Sequence, residues 1–163
     1  DGRRLAFTAD GNLFVCDTAG GVPRQLTHDG GEDILNGYAS WVYYEEILGR
    51  SSNYRAFSWS PDSGRIAFMR FDQGRVPRFP LFDAAGPYGR LEMQRYPKPG
   101  FPNPEVKIGV IELAGGPTDW IAFPGETDHY LNFLGWAPDG KSCYLQWLNR
   151  FAEAEELTEG DSE

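Results

Sequence analysis

One hairpin recurs along this 163-residue chain, and it restricts the possible folds more than any other feature. The run Phe57-Ser-Trp-Ser-Pro-Asp-Ser-Gly-Arg-Ile-Ala-Phe68 returns as Leu134-Gly-Trp-Ala-Pro-Asp-Gly-Lys-Ser-Cys-Tyr144, and its second half opens the chain as Asp1-Gly-Arg-Arg-Leu-Ala-Phe7. Each copy predicts a buried strand ending at Trp, a Pro-Asp turn and a returning strand, because Pro presets φ at the turn and Gly takes the positive φ. A second repeat pairs Val15-Cys-Asp-Thr-Ala-Gly-Gly21 with Val110-Ile-Glu-Leu-Ala-Gly-Gly116. It predicts a strand that ends in a Gly-Gly turn and leads to an outer strand, at residues 24–27 and 119–123. Joined together, the two repeats make a four-stranded antiparallel unit, the pattern of a β-propeller blade that buries both faces against its neighbours.

The copies are spaced too widely for minimal blades. Asp1, Asp62 and Asp139 lie 61 and 77 residues apart, against roughly 40–45 for a plain four-stranded blade. Two insertions account for the excess, residues 28–54 and 72–103, and function is sought there because insertions on a rigid scaffold carry binding chemistry. The expected fold class is all-β: a partial β-propeller of about two to three blades, an open arc of a larger ring, over residues 1–151. A small β-sandwich is the competing architecture, and the repeated Trp hairpins argue against it. With 20 Gly and 12 Pro against 24 aromatic residues, composition also favours short strands over a helical bundle.

Charge narrows the partners. Six of the carboxylates behind the net charge of −9 crowd into residues 152–163 without a cation, so the body carries only −3. The segment reads as an acidic, solvated C-terminal tail, with a short helix at residues 151–157 as the alternative. No basic stripe offers a footprint for a phosphate backbone, so nucleic acid is not an expected partner. No apolar run approaches the roughly 20 residues of a membrane helix, and no membrane segment is expected. Cys16 and Cys143 stand far apart in strand-like runs and read as free thiols packed as small hydrophobes, with a disulfide as the alternative. His28 and His129 lie in no metal-binding pattern, so no metal or other cofactor is expected. Each reads as a loop residue.

The first insertion contains Asn36-Gly-Tyr-Ala-Ser-Trp-Val-Tyr-Tyr-Glu-Glu-Ile-Leu-Gly-Arg50. Ser40 as N-cap and Gly49 as stop predict about two helical turns over residues 41–48. At 100° per residue, Trp41, Tyr44 and Leu48 share an apolar stripe with Glu45 close to it and Glu46 nearer Val42. Two adjacent carboxylates among aromatics are either a solvated surface pair or the grip for a cation, since an unpaired charge away from water is costly.

Here the chain resembles the propeller of the dipeptidyl peptidase IV family of serine exopeptidases, which carries a short helical insertion reading approximately Asp-Trp-Val-Tyr-Glu-Glu-Glu. Ser40-Trp-Val-Tyr-Tyr-Glu-Glu46 matches it, with Tyr44 standing where the family often has a further acid. Val76-Pro77, Tyr96-Pro-Lys-Pro-Gly100, Asn103-Pro-Glu-Val-Lys107 and Leu145-Gln-Trp-Leu-Asn-Arg150 follow in the family's order, so the resemblance spans residues 1–150. It implies that Glu45 and Glu46 bind the free α-ammonium of a peptide substrate. It also implies an α/β-hydrolase catalytic domain elsewhere in the parent protein, which supplies the Ser-Asp-His set and the Gly-x-Ser-x-Gly elbow that this chain lacks. An arginine that contacts the substrate carbonyl is expected upstream. This chain alone is therefore not expected to hydrolyse peptides. Peptides with Pro or Ala in second position are the implied substrates, with a tripeptidyl relative as a variant, and export to the periplasm or cell surface is the implied location. The alternative is a noncatalytic propeller-type protein-interaction module. The Pro-rich second insertion reads as a structural edge loop and a candidate homodimer contact, with Arg78 and Phe79 as exposed residues without an assigned role.

Overall fold

A computed structural model of the chain describes residues 1–49, 55–123 and 128–150, together with the backbone of residues 155–161. The end of the first insertion, residues 50–54, and the boundary at 151/152 lie outside the described residues. Every strand pair is antiparallel. The first sheet comprises β1 (Arg4–Ala9), β2 (Asn12–Asp17) and β3 (Arg24–Gln25). Its first hairpin turns on Asp10 and Gly11, with φ of 49° and 74°, the doubly positive pair whose twist suits a two-residue connection.

The second sheet follows the predicted blade. Two short strands, β4 (Ile34–Asn36) and β5 (Phe57–Trp59), lie end to end on one edge of β6 (Arg65–Asp72). On the other edge β6 pairs with a later strand, Glu105–Glu112, which in turn pairs with an outer strand, Asp119–Trp120. Between β6 and that later strand the chain makes a separate hairpin of β7 (Arg78–Asp83) and β8 (Arg90–Arg95), so the later strands are β9 and β10. The third sheet is β11 (His129–Trp136), β12 (Ser142–Asn149) and β13 (Glu155–Asp161).

The central strands are buried on both faces, as a strand between two blades must be. Ile66 and Phe68 of β6 join Leu13, Val15, Leu26, Ile111 and Leu113 in one apolar layer against the first sheet. Ala67, Met69 and Phe71, the alternate residues, join Ile108, Val110, Leu131 and Leu145 in a second layer toward the third sheet. A side chain the size of Phe or Ile contributes about 1.5–3 kcal/mol when it leaves water, so these two layers hold the blades together.

Three local expectations differ from what the chain does. In the Pro-Asp turns the positive φ falls on the residue after Asp, which is Gly2, Ser63 and Gly140, so in the middle copy Ser63, at 59°, takes the strained place instead of Gly64. Asp62 Oδ1 fixes that turn by accepting from Ser60 Oγ at 2.6 Å and from the Gly64 N–H at 3.0 Å. The Pro-rich second insertion is a paired hairpin and not a loop, and Phe79 is half-buried. Residues 155–161, expected to be solvated tail, run as β13 along β12, whose edge N–H and C=O groups need partners.

Candidate substrate-amine site

The Glu-Glu insertion is an excursion from one strand line. It leaves where the Gly37 N–H donates to the Met69 carbonyl (2.8 Å) and returns where the Met69 N–H donates to the Ala56 carbonyl (2.9 Å). The Ala56 N–H donates to the Gly37 carbonyl (2.8 Å), closing the neck. The excursion therefore departs from β6 and returns to it at a single point.

Within the excursion the chain winds more loosely than expected. The Ser40 carbonyl accepts from the N–H groups of Tyr43 (3.0 Å) and Tyr44 (3.2 Å), but the Leu48 N–H donates to the Tyr43 carbonyl at 2.7 Å, an i→i+5 bond. Tyr43–Ile47 is thus one π-helical turn where two α-helical turns were expected. Ser40 caps through its carbonyl, while its hydroxyl is buried without a partner. The wider winding changes the angles between side chains. At 100° per residue Glu46 would lie roughly 60° from Tyr43 around the axis, whereas at the roughly 82° of a π-turn it lies about 115° away. Tyr43 is the fully buried residue, at 0% exposure, while Tyr44 and Leu48 of the predicted apolar stripe pack half-buried against the same core. Glu45 and Glu46 are both exposed.

Aromatic contacts seat the turn on both sides. The Tyr43 ring meets Phe71 edge-on at 4.8 Å, and its hydroxyl accepts the Leu131 N–H at 3.3 Å. Burial, outweighing that hydrogen bond, pushes the phenol above its ordinary range, so it is a neutral structural group. Trp41 packs on Tyr96 at 4.6 Å, Tyr96 on Phe79 at 5.8 Å, and the Lys98 ammonium sits 4.3 Å over Phe79. The β7–β8 hairpin is itself held by ion pairs from Arg78 to Glu32 and from Arg95 to Asp33, which gives Arg78 its role. Among the described residues neither Glu45 nor Glu46 has an ion pair or hydrogen-bond partner, so two acceptor-rich carboxylates on a fixed mount are available to an outside cation.

Other clefts offer less chemistry. One, about 620 Å³ between the Asp10-Gly11 turn and the hairpin, is lined by Arg78 and Arg95, whose charges are already engaged. A smaller polar cleft of about 360 Å³ runs behind the turn, where Ser40 and Gln73 each present a buried oxygen without a partner. No motif along the chain pointed to it. His28 lies in a loop, whereas His129 opens β11 between the rings of Phe123 and Trp147, 6.2 Å from each. Cys16 and Cys143 are free thiols.

The family profile described as the dipeptidyl peptidase IV (DPP IV) N-terminal region matches residues 1–162. The chain belongs to that family. Relatives of this DPP IV N-terminal region include a probable dipeptidyl peptidase 4 of Aspergillus fumigatus, 40% identical over 121 residues and covering 71% of this chain and 15% of that protein. Human prolyl endopeptidase FAP is 33% identical over 162 residues, covering 91% of this chain and 20% of its own length. Among solved structures, dipeptidyl peptidase 4 of Porphyromonas gingivalis superposes with a TM-score of 0.80 at 25% identity over all of this chain and 25% of that one. A putative dipeptidyl aminopeptidase IV of Bacteroides ovatus gives 0.75 at 30% identity over 96% of this chain and 20% of that one. The expected propeller architecture is met, as an arc of antiparallel sheets that does not close. The chain spans between about a seventh and a quarter of the length of these relatives.

Proposed function

We propose that this propeller segment serves a dipeptidyl peptidase IV-like serine exopeptidase by gripping the free α-ammonium of peptide substrates through Glu45 and Glu46. One observation carries the reading: two adjacent, exposed carboxylates, without a partner among the described residues, sit on a turn anchored to two sheets. A –NH3⁺ has three donors and the pair has several acceptors. A charge pair at about 4 Å is worth roughly 4 kcal/mol at an effective dielectric of 20, before desolvation. Holding the amine at a fixed distance from a nucleophile sets how many residues leave with each cut. The nucleophile belongs to an α/β-hydrolase domain of the parent protein, and Pro or Ala in second position marks the substrates.

The test is made on the full-length protein. Glu45→Ala and Glu46→Ala should each lower kcat/KM on free-amine dipeptide substrates by about 2–4 kcal/mol, roughly 30- to 1,000-fold, with folding intact. Unchanged kinetics would reject the grip.

A second partner has its own support. By register Pro80, Phe82, Leu91 and Met93 share one face of the hairpin, with Phe82 70% and Leu91 62% exposed, an apolar surface that suits a second copy of the protein. Phe82→Glu should then shift the full-length protein toward monomer in sedimentation equilibrium, and an unchanged mass would remove the homodimer reading.

A further inference from the structure

Glu45 and Glu46 ride on a single π-turn of five residues, Tyr43–Ile47, closed by the Leu48 N–H on the Tyr43 carbonyl. A helical turn this short does not hold its shape in water, so its position is set by what it packs against. Tyr43 is the one residue of the turn with no exposed surface. Its ring lies edge-on to Phe71 of β6, and its hydroxyl reaches Leu131 of β11, 88 residues further along the chain. One side chain thus touches two neighbouring sheets and sits two and three residues before the carboxylates.

From this we infer that Tyr43 is a positioning residue for substrate-amine recognition: it pins the twin-carboxylate turn to the seam between the second and third sheets and fixes where the two acids stand. The inference rests on the amine-grip reading above. Removing the hydroxyl leaves the ring in place but strips the Leu131 N–H of its acceptor, and a buried donor left alone is costly. The turn can relieve that cost by shifting, and a shift displaces both acids together.

The experiment uses the full-length protein and compares Tyr43→Phe, the pair Glu45→Gln with Glu46→Gln, and all three substitutions combined. Active enzyme is counted by covalent titration of its nucleophile with a fluorophosphonate. Tyr43→Phe is expected to raise KM for a free-amine dipeptide substrate about tenfold with kcat per titrated site little changed. Once both acids are glutamines, adding Tyr43→Phe should leave KM where it was, because a pin matters only while it holds something. A purely structural role would lower the titrated fraction and leave KM of the remainder unaltered; that result overturns the inference. A wild-type KM for Tyr43→Phe while the double glutamine variant is impaired overturns the pin and spares the grip. A wild-type KM for the double glutamine variant overturns the grip and the pin with it. Should Tyr43→Phe fail to fold, Phe71→Leu loosens the ring seat while keeping the hydroxyl, and it should raise KM in the same direction by a smaller factor; an unchanged KM there counts against the pin.

Discussion

The guanidinium of Arg65 lies 5.4 Å over the ring of Trp136, tying the returning strand of one Trp hairpin to the Trp of the next. The same guanidinium donates to the Gly140 carbonyl, and the Trp136 indole N–H donates to the Ser58 carbonyl at 3.3 Å. The repeated residues therefore interlock across the seam between blades. Arg65→Lys keeps the charge but loses the planar fork and the stacking. It is expected to cost about 1–2 kcal/mol, read as a lower urea midpoint of the full-length protein with an unchanged m-value.

Ser63 occupies a left-handed conformation that its two counterparts, Gly2 and Gly140, fill without a side chain. A non-glycine residue there carries roughly 1–2 kcal/mol of strain. Ser63→Gly should relieve part of it and raise stability by about 0.5–1 kcal/mol, after the extra entropy of glycine in the unfolded chain is deducted. Differential scanning calorimetry would register a higher Tm, and a lower one would contradict the turn assignment.

Asp29 predicts a pH response. Burial works to raise its pKa, but hydrogen bonds from Asn36 (2.8 Å) and Arg70 (2.8 Å), with the charge of Arg70, outweigh it and hold the carboxyl below its usual range. A depressed carboxyl contributes stability that is fully present above the unfolded pKa near 3.9 and is lost as pH falls through the folded value. Stability should therefore drop below about pH 4. Asp29→Asn should flatten that part of the curve while lowering the plateau at neutral pH, as measured by urea titration across pH 2.5–7.

Cys143 should be a poor nucleophile in the folded protein. Burial, only partly offset by the nearby charge of Arg65, pushes its thiol up to about 11, leaving roughly a hundredth of the usual thiolate fraction at pH 8. Iodoacetamide should alkylate it about 100-fold more slowly than after denaturation, as mass spectrometry of the peptide containing Cys143 would report.

The parts of this fold that could be read from the chain are those set by local chemistry. The Gly-Gly turns behave as their pattern suggests: Gly20, Gly21, Gly115 and Gly116 all adopt positive φ. The alternation of Ile66, Ala67, Phe68 and Met69 sorts into two apolar layers because strands present successive residues to opposite faces. What escaped was set at a distance or by a rarer geometry. The i→i+5 winding of Tyr43–Ile47, with Tyr43 as its buried residue, is one such feature, and a 3.6-residue period cannot anticipate it. Proline in the second insertion suggested a loop, yet Pro80 fits a two-stranded hairpin where, among the described residues, one edge of β7 has no strand to donate to. The clasp of Arg95 on Asp33 joins residues 62 apart, and no local pattern encodes it.

The neck at Gly37, Ala56 and Met69 has a consequence for how such a scaffold can change over time. Since the excursion departs and rejoins at one rung, its length and content can drift without sliding the register on either side. Novel recognition chemistry can be tried there while the sheets go on stacking as before.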